Sequence, residues 1–314
     1  MDKRNDMKKR IEVLLASYNG AAYIREQIDS ILAQTYENWH LTVSDDGSTD
    51  ATPEILEDYA RRFPDKITRV FSGRRFGNAR DHFFWLMAQC EAEYMHFADQ
   101  DDVWHPEKVR IMQQALEQAE AQYGAQTPLL VFTDQAVVDE DLKPLAPSLM
   151  KMQQQSPEKT DYRNILFQNI VTGCTSAINR SLANLAGQCS DTTQVIMHDW
   201  WLALVAARFG KLVYLDLPTL DYRQHGDNSV GAKNVRSLSY IAGKFRRLSE
   251  LRHFFGRKKD QSKVFAESYQ SWLTDADRLL INAFSSKKNN LTFKVGFLRF
   301  ISGFYRRVGF LLLW

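Results

Sequence analysis

Short apolar runs alternate with amphipathic segments along the early part of the chain. The apolar runs have the length of buried strands and lie at residues 12–17, 39–44, 67–71 and 94–98. The amphipathic segments repeat apolar residues at helical spacing and lie at 22–34, 52–63 and 81–90. This alternation predicts an α/β fold, with a mainly parallel, Rossmann-like sheet and helices on both faces. Ligands of such sheets bind beyond the carboxyl ends of the strands, so polar clusters that directly follow strands mark the predicted site.

The pattern is less regular in the second half of the chain. The apolar runs at 129–134 and 212–215 are predicted strands. The stretch 145–160 is polar and rich in Gln, with Met and Pro, which predicts a mobile loop. No internal repeat and no low-complexity tract is present in the sequence.

The composition is that of an ordinary globular protein, with 314 residues, 44% of them hydrophobic and 25% charged. One large domain, or one domain with an appendage, is expected. Residues 1–10 are polar and basic and lack an apolar signal core, so we expect a cytoplasmic protein. The cysteines Cys90, Cys174 and Cys189 are widely spaced and form no CxxC or Cys/His pattern that would suggest zinc, which predicts reduced thiols.

The net charge of +2 conceals a strong asymmetry along the chain. Lys and Arg exceed Asp and Glu after residue 231, whereas acidic residues are in excess before it. From about residue 237 the pattern also becomes helical. We therefore place a domain boundary near Val235, between a first domain over 1–235 and a basic, amphipathic helical region over 236–314.

The basic region ends in an apolar and aromatic stretch at 292–314. A basic region can face nucleic acid or anionic lipid, and this much apolar surface favours lipid. Because it contains no stretch of about 18 uncharged apolar residues, a spanning helix is not expected. We predict an interfacial helix on an anionic membrane surface and no nucleic-acid partner; packing on the first domain or an oligomer contact is the alternative.

Three carboxylates follow the predicted strand 94–98, within residues 99–102 (DQDD). Neighbouring carboxylates repel each other unless a cation or hydrogen-bond donors hold them, and hard divalent ions prefer oxygen ligands. The cluster therefore predicts a Mg²⁺ or Mn²⁺ site. A solvated acidic turn that caps a helix starting near His105 is the alternative.

A second polar cluster follows the predicted strand 39–44, at residues 45–50 (DDGSTD). A carboxylate there can accept hydrogen bonds from a nucleobase N–H group or from ribose hydroxyls, as acidic residues do in other nucleotide-binding α/β folds. A turn with an N-cap for the next helix is the alternative, because Asp, Gly and Ser favour such turns. By itself this cluster leaves both interpretations open.

The chain resembles the family-2 glycosyltransferases with the GT-A fold in four successive signatures, at residues 14–20, 30–36, 45–50 and 98–102. The segments 197–201 (MHDWW) and 222–229 (YRQHGDNS) make it most similar to rhamnosyltransferase-like members. The similarity covers roughly residues 10–230. It implies a GT-A catalytic domain over 1–235 and an inverting, metal-dependent enzyme. Such an enzyme transfers a sugar from a nucleoside-diphosphate donor to a hydroxyl group.

The resemblance also implies which residues bind the nucleotide sugar. These residues are Ala16, Ser17, Tyr18, Asp45, Asp46, Arg75, Asp99 and Gln100. Asp45 and Asp46 would hold the base and ribose of the donor, helped by the turn after the first strand. Arg75, between the third strand and the third helix, resembles a donor-binding basic residue of the family. An ordinary surface arginine is the alternative.

The metal ligands implied by the resemblance are Asp101 and His225, with Asp102 as a helper. The cofactor would be Mn²⁺ or Mg²⁺, and it would stabilise negative charge on the departing nucleoside diphosphate. The imidazole of His225 would suit Mn²⁺ better than Mg²⁺ and would reach the ion from a loop that closes over the donor. A loop histidine bonded to the backbone is the alternative.

The general base implied by the resemblance is Asp199, because the family carries an acidic residue at this position before a helix. It would take the proton from the acceptor hydroxyl as that oxygen attacks the anomeric carbon. Many relatives carry Glu-Asp where this chain carries His198 and Asp199, so the first position departs while the base is retained. A helix N-cap is the alternative role.

Residues 171–175 (VTGCT) resemble the acceptor-side segment of the family. Acceptor binding is therefore expected of Thr172, Gly173 and Trp200. Cys174 has no His/Asp partner pattern, so we predict that its thiol packs in the core and is not a nucleophile.

The expected donor is dTDP-L-rhamnose, with UDP-glucose and UDP-galactose as alternatives, because a sequence does not display the pocket shape that selects base and sugar. The expected acceptor is a lipid-linked oligosaccharide of a surface polysaccharide, with the enzyme peripheral at the inner face of the cell membrane. Oligomerisation stays open. A nucleotidyltransferase is a weaker alternative, because residues 17–22 lack the Arg and Lys of a phosphate loop. A non-catalytic membrane scaffold would be favoured if Asp101 or Asp199 were replaced, and both are present.

Overall fold

The computed structural model describes residues 11–226 and 248–286, together with Leu298. Nine strands among these residues form one sheet. In chain order the strands are β1 (Ile11–Ser17), β2 (Trp39–Asp45), β3 (Ile67–Val70), β4 (Tyr94–Ala98), β5 (Val103–Trp104), β6 (Leu129–Val138), β7 (Pro144–Ala146), β8 (Ser176–Asn179) and β9 (Lys211–Arg223).

The described α-helices lie between the strands and after β9. They are α1 (Ile24–Leu32), α2 (Thr52–Arg62), α3 (Ala79–Gln89), α4 (Lys108–Tyr123), α5 (Leu149–Met152), α6 (Tyr162–Phe167), α7 (Arg180–Ala186), α8 (His198–Phe209), α9 (Leu248–Ser268) and α10 (Asp275–Ser285). Two short 3₁₀ helices span Gly173–Thr175 and Thr192–Gln194. The predicted alternation over the first four strands and three helices is confirmed.

The strand order is β3-β2-β1-β4-β8-β6-β9-β5, with β7 beside β6. The first four strands pair in parallel, and each parallel neighbour is reached through a helix. β8 lies antiparallel between β4 and β6, while β9 runs parallel to β6. The carboxyl ends of β1, β2 and β4 therefore meet at one edge, where the predicted polar clusters follow them.

Helices cover both faces of the sheet, as predicted. Successive residues of β1 point to opposite faces, so Leu14 belongs to one hydrophobic cluster, whereas Val13 and Leu15 belong to another. The first cluster packs the sheet against α3, α8 and α9. The second packs it against α1, α2 and α4. Burial on both faces explains why the strands of the parallel half are apolar runs without regular polar alternation.

The prediction that residues 145–160 form a loop throughout is wrong in its first part. This part contains the end of β7 and the short helix α5. Ser148 caps α5 by accepting a hydrogen bond from the backbone N–H of Lys151. The buried carboxylate of Asp134 accepts from the Ser148 hydroxyl and from the backbone N–H of Met150. A partner distant in sequence thus orders a segment whose composition predicts a loop.

The helices α9 and α10 pack on the same core as α8. Phe265 and Tyr269 are fully buried in the hydrophobic cluster that contains Trp201. The guanidinium of Arg208 on α8 also pairs with the Asp277 carboxylate on α10, with 2.5 Å between Nη2 and Oδ2. These helices are the described part of the predicted basic helical region.

The predicted domain boundary at Val235 lies outside the described residues, as does the stretch 292–314 apart from Leu298. The division into 1–235 and 236–314 therefore stays a prediction. None of the described helices combines the length and the hydropathy that crossing a bilayer requires.

Candidate active site

The DDGSTD segment forms a tight turn at the carboxyl end of β2. Asp45 accepts hydrogen bonds from the backbone N–H groups of Gly47 and Ser48 and from the hydroxyl of Ser17 on β1. Gly47 has a φ of 77°, in the left-handed region that favours glycine. The turn predicted as the alternative is therefore present, and it holds the Asp45 carboxylate at the edge where β1 and β2 end.

Asp46 is buried and fixes the loop that follows β3. Its two carboxylate oxygens accept from the backbone N–H groups of Phe76 at 2.5 Å and Gly77 at 2.7 Å. The Phe76 ring stacks on His82 with 4.9 Å between the ring centroids. Burial lowers the pKa of His82, against the opposing charges of Asp46 and Asp45. Asp46 thus positions the backbone beside Arg75, a role that the sequence did not reveal.

The loops after β1 and β4 are joined by Gln100. Its side-chain amide accepts from the backbone N–H of Tyr18 at 2.8 Å and donates to the Tyr18 carbonyl at 3.0 Å. A Cβ atom at Gly20 would lie 2.4 Å from the Gln100 Oε1 atom, so a side chain there would displace the Gln100 amide. The guanidinium of Arg75 lies 4.5 Å from the Tyr18 ring centroid. Ala16, at the half-buried end of β1, precedes this assembly. Among the predicted donor-binding residues, Tyr18, Arg75 and Gln100 therefore share one surface, whereas Ser17 and Asp46 are buried.

The Asp99 carboxylate lies among other carboxylates at the end of β4. Burial, together with the negative charges of Asp101 and Asp199, raises its pKa to about 7. Asp99 and the predicted base Asp199 are hence close enough to interact, although a hundred residues separate them in the sequence. Like charges gathered in this way favour a bound cation.

Asp102 is fully buried beneath this cluster. Burial raises the pKa of its carboxyl group well above the ordinary value, and the charges of Asp101 and Asp99 add to the rise. The Cys174 thiol and the Lys108 ammonium group oppose it. No nitrogen or oxygen donor of the described residues hydrogen-bonds to either Asp102 carboxylate oxygen. A buried carboxylate in this state needs a proton, a cation or water to compensate it.

The two predicted metal ligands lie side by side. The Nε2 atom of His225 is 2.8 Å from the Oδ2 atom of Asp101, and Tyr23 packs against the imidazole with 4.7 Å between the ring centroids. Arg223 donates to the Asp101 carbonyl at 3.0 Å and to the Glu140 carbonyl at 2.7 Å. The buried Arg223 and the half-buried Tyr23 therefore support the predicted ligand pair. No sequence pattern pointed to either residue, although Arg223 directly precedes the QHG sequence.

The predicted base, Asp199, lies in the first turn of α8, where Met197 is the N-cap residue. The carboxylate accepts from the backbone N–H of Gly173 at 3.0 Å and from the side-chain amide of Asn169 at 3.2 Å. Burial raises the pKa of Asp199 to about 7, and hydrogen bonds from Trp200, Gly173 and Asn169 oppose the rise. A carboxylate with such a pKa can accept a proton near neutral pH.

The predicted acceptor-side segment touches this base directly. Half-buried Thr172 precedes Gly173, whose N–H group binds Asp199. A Cβ atom at Gly173 would lie 2.8 Å from the Nε2 atom of His198, so a side chain there would displace the imidazole. The His198 ring packs between Phe83 and other apolar groups, and burial lowers its pKa to about 3. It is therefore a neutral packing group.

The prediction that Trp200 binds the acceptor is not supported by its position. Its side chain is buried, and its indole N–H donates to the Ile165 carbonyl at 2.7 Å. The Lys258 ammonium group of α9 lies 5.4 Å from the Trp200 ring centroid. Trp200 therefore joins α8 to α6 and α9 in the core. The sequence could not distinguish packing in the core from acceptor binding, because α8 is apolar around most of its circumference.

Solved structures share the fold. TarS residues 1–349 from S. aureus in complex with UDP-GlcNAc align with a TM-score of 0.54 and 13% identity, over 93% of this chain and 81% of that chain. A mannosyltransferase, PcManGT from Pyrobaculum calidifontis in complex with GDP-Man and Mn²⁺, aligns with a TM-score of 0.50 and 19% identity. That alignment covers 97% of this chain and 85% of the other. The expected GT-A fold is confirmed.

Sequence comparison agrees with the fold. A dTDP-rhamnosyl transferase, RfbG of Shigella flexneri, is 30% identical over 260 residues, which cover 78% of this chain and 81% of the relative. The profile "Glycosyl transferase family 2" matches residues 12–184. This match favours glycosyl transfer over the nucleotidyltransferase alternative. It spans the strands and loops that carry the predicted donor-binding residues. The chain belongs to glycosyl transferase family 2.

Proposed function

We propose that this glycosyltransferase is inverting and metal-dependent and that it uses dTDP-L-rhamnose to extend a saccharide. One observation carries the proposal: Asp199, with a pKa raised to about 7, interacts with Asp99, which directly follows strand β4. A base that can take a proton near neutral pH thereby faces a cluster suited to a nucleotide–metal complex.

Asp101 and His225 would hold the divalent ion, Mn²⁺ or Mg²⁺. Their adjacent carboxylate and imidazole form a donor set that fits Mn²⁺, and the uncompensated Asp102 carboxylate supports a cation nearby. The ion would neutralise charge on the diphosphate as it leaves. Asp45 and the Tyr18 turn would hold the nucleoside, while the exposed guanidinium of Arg75 would bind the diphosphate.

Asp199 would act on the acceptor. Its carboxylate takes the proton from the acceptor hydroxyl, whose oxygen forms a bond to the anomeric carbon while the bond to the diphosphate oxygen breaks. Attack from the face opposite the leaving group inverts the anomeric configuration. The Gly173 N–H and the Asn169 amide orient the carboxylate for this step. Thr172, next to Gly173, would contact the acceptor.

The choice of dTDP-L-rhamnose is supported by the similarity to the Shigella flexneri dTDP-rhamnosyl transferase. A UDP-hexose is the second candidate, because the pocket shape that selects base and sugar also varies within one fold. Purified protein should be incubated with each nucleotide sugar and Mn²⁺ or Mg²⁺, and nucleoside-diphosphate release should be measured. We expect dTDP release from dTDP-L-rhamnose. Release from UDP-glucose or UDP-galactose alone would select the alternative, and no release from any donor would favour a non-catalytic scaffold.

We further propose a lipid-linked saccharide acceptor and peripheral attachment to the inner face of the cell membrane through residues 292–314. The basic and apolar composition of this stretch supports the proposal. Removal of residues 290–314 should release the protein from anionic liposomes while leaving hydrolysis of free donor nearly unchanged. Liposome binding should weaken with salt. Undiminished binding by the truncated chain, or a changed oligomeric state, would refute attachment through this stretch.

A further inference from the structure

Cys174 lies within reach of two carboxylates of the acidic cluster. Its Sγ atom and one oxygen each from Asp99 and Asp102 lie within 4.8 Å of one another. The carboxylates come from the loop after β4, and the thiol comes from the 3₁₀ helix Gly173–Thr175. Two chain segments thus bring together a thiol and two carboxylates. The proposed transfer reaction does not use these three groups together.

The Asp102 side chain independently indicates a missing partner. It is fully buried, and no nitrogen or oxygen donor of the described residues hydrogen-bonds to its carboxylate oxygens, so the neighbouring Cys174 thiol is the polar group that interacts with it. The nearby Lys108 ammonium group donates to the Thr219 hydroxyl at 3.2 Å. The Cys174 thiol makes a weak contact with the Gln135 Oε1 atom at 3.5 Å. The half-buried Asp99 is the member of the set through which an ion would enter.

We propose that Asp99, Asp102 and Cys174 form a site for a thiophilic divalent cation, Zn²⁺ or Cd²⁺, separate from the proposed Asp101–His225 site for a hard ion. A thiolate ligand selects such ions over Mg²⁺ and Mn²⁺. Typical Zn–S and Zn–O bonds of roughly 2.3 and 2.1 Å place tetrahedral ligand atoms about 3.5 Å apart. Small side-chain rotations would therefore bring the three ligand atoms to coordinating distance. Binding releases the thiol proton to solvent and leaves a fourth position for water.

Occupation of this site should inhibit the enzyme. This consequence rests on the proposed function, because it requires that Asp99 takes part in donor binding. An ion bound to Asp99 would turn its carboxylate towards Cys174 and away from the donor. Zn²⁺ also binds most ligand sets more tightly than Mn²⁺, so it should act at a lower concentration than the activating metal.

The binding test uses the full chain with Cys90→Ser and Cys189→Ser, which leaves Cys174 as the single cysteine. Titration with Cd²⁺ should produce an ultraviolet thiolate-to-cadmium charge-transfer band that saturates at one ion per chain. X-ray absorption of the Zn²⁺-loaded double variant should find one sulfur among oxygen ligands. Addition of Cys174→Ser should abolish the band, and addition of Asp102→Asn should weaken Cd²⁺ binding by at least about tenfold.

Asp141→Asn, at an exposed carboxylate, is the matched control and should leave Cd²⁺ affinity unchanged. The absence of sulfur from the metal shell of the double variant overturns the site, whether or not the Cys174→Ser chain folds. A band that survives Cys174→Ser overturns it as well. If Cd²⁺ binds as expected but Zn²⁺ does not inhibit donor hydrolysis, the site stands and the role of Asp99 in donor binding fails.

Discussion

Asp46 on the donor side and Asp199 on the acceptor side are both buried carboxylates, but their surroundings differ. Asp46 accepts short hydrogen bonds from two successive backbone N–H groups of the loop after β3. Asp199 accepts hydrogen bonds from separate segments, and burial still raises its pKa to about 7. The first arrangement fixes a loop, whereas the second preserves a group that can change its protonation near neutral pH. The proposed donor side is therefore fixed by its carboxylate, whereas the proposed acceptor side carries a carboxylate suited to proton transfer.

The largest expected effect falls on the donor side, with Asp101→Asn. This change removes a charge that would hold the metal beside His225, so the leaving diphosphate loses its stabilisation. Turnover should fall by about 10²–10⁴-fold or more, while circular dichroism and thermal unfolding stay close to wild type. Asp141→Asn, at an exposed carboxylate, is the control and should retain full turnover. Wild-type turnover of Asp101→Asn at saturating Mn²⁺ would remove Asp101 from the mechanism.

Asp199→Asn tests the acceptor side, where Asp199 is the proposed base. The amide oxygen can still accept from the Gly173 N–H, but the side chain can no longer take a proton. Turnover should fall by at least about 10²-fold, whereas the donor affinity measured by calorimetry should be preserved. Asp216→Asn, at an exposed residue of β9, should change neither quantity. If donor affinity collapses together with the rate, Asp199 holds the donor or the fold and the base lies elsewhere.

The same comparison explains what the sequence could predict. The carboxylates of Asp45 and Asp99 directly follow apolar strands, so their meeting at one edge follows from the parallel order. Arg223 binds the Asp101 carbonyl and Asn169 binds the Asp199 carboxylate. Both contacts join segments that are distant in the sequence, so no local sequence pattern predicts them. An apolar helix does not reveal which of its faces is open, so the burial of the Trp200 side chain could not be predicted.

The donor side can be tested more finely with two neighbouring arginines. Arg75 lies over the Tyr18 ring and beside the Asp45 turn, whereas Arg74 lies over the Phe76 ring at 5.0 Å. Arg75→Ala should raise the KM for the donor by about tenfold or more, because a charged hydrogen bond to the diphosphate contributes roughly 1.5–3 kcal/mol. Arg74→Ala is the matched control and should leave the KM nearly unchanged. Equal effects of the two substitutions would indicate a general loss of positive charge and no specific contact from Arg75.

The smallest expected effect is also the most diagnostic of the acceptor side. The base must be ionised to act, so wild-type turnover should rise as the pH rises through about 7, the pKa of Asp199. The Asn169 amide lowers that pKa through its hydrogen bond, and Asn169→Ala should shift the rise to higher pH. A hydrogen bond of roughly 1 kcal/mol corresponds to somewhat less than one pKa unit, which predicts about a fivefold loss below neutral pH and little loss at alkaline pH.

The control for this measurement is Asn184→Ala, at an exposed asparagine of α7, which should keep the wild-type pH profile. Asn169 also binds the backbone of Val171 through both polar atoms of its side chain, so the substitution can disturb the segment before Gly173. The shape of the profile separates the two effects. A shift along the pH axis, with recovery at alkaline pH, assigns Asn169 to tuning the carboxylate of Asp199. A uniform loss of turnover at every pH would mean that Asn169 only maintains the backbone. It would contradict the idea that the hydrogen bond from Asn169 sets the pKa of Asp199 and thereby the pH at which turnover rises.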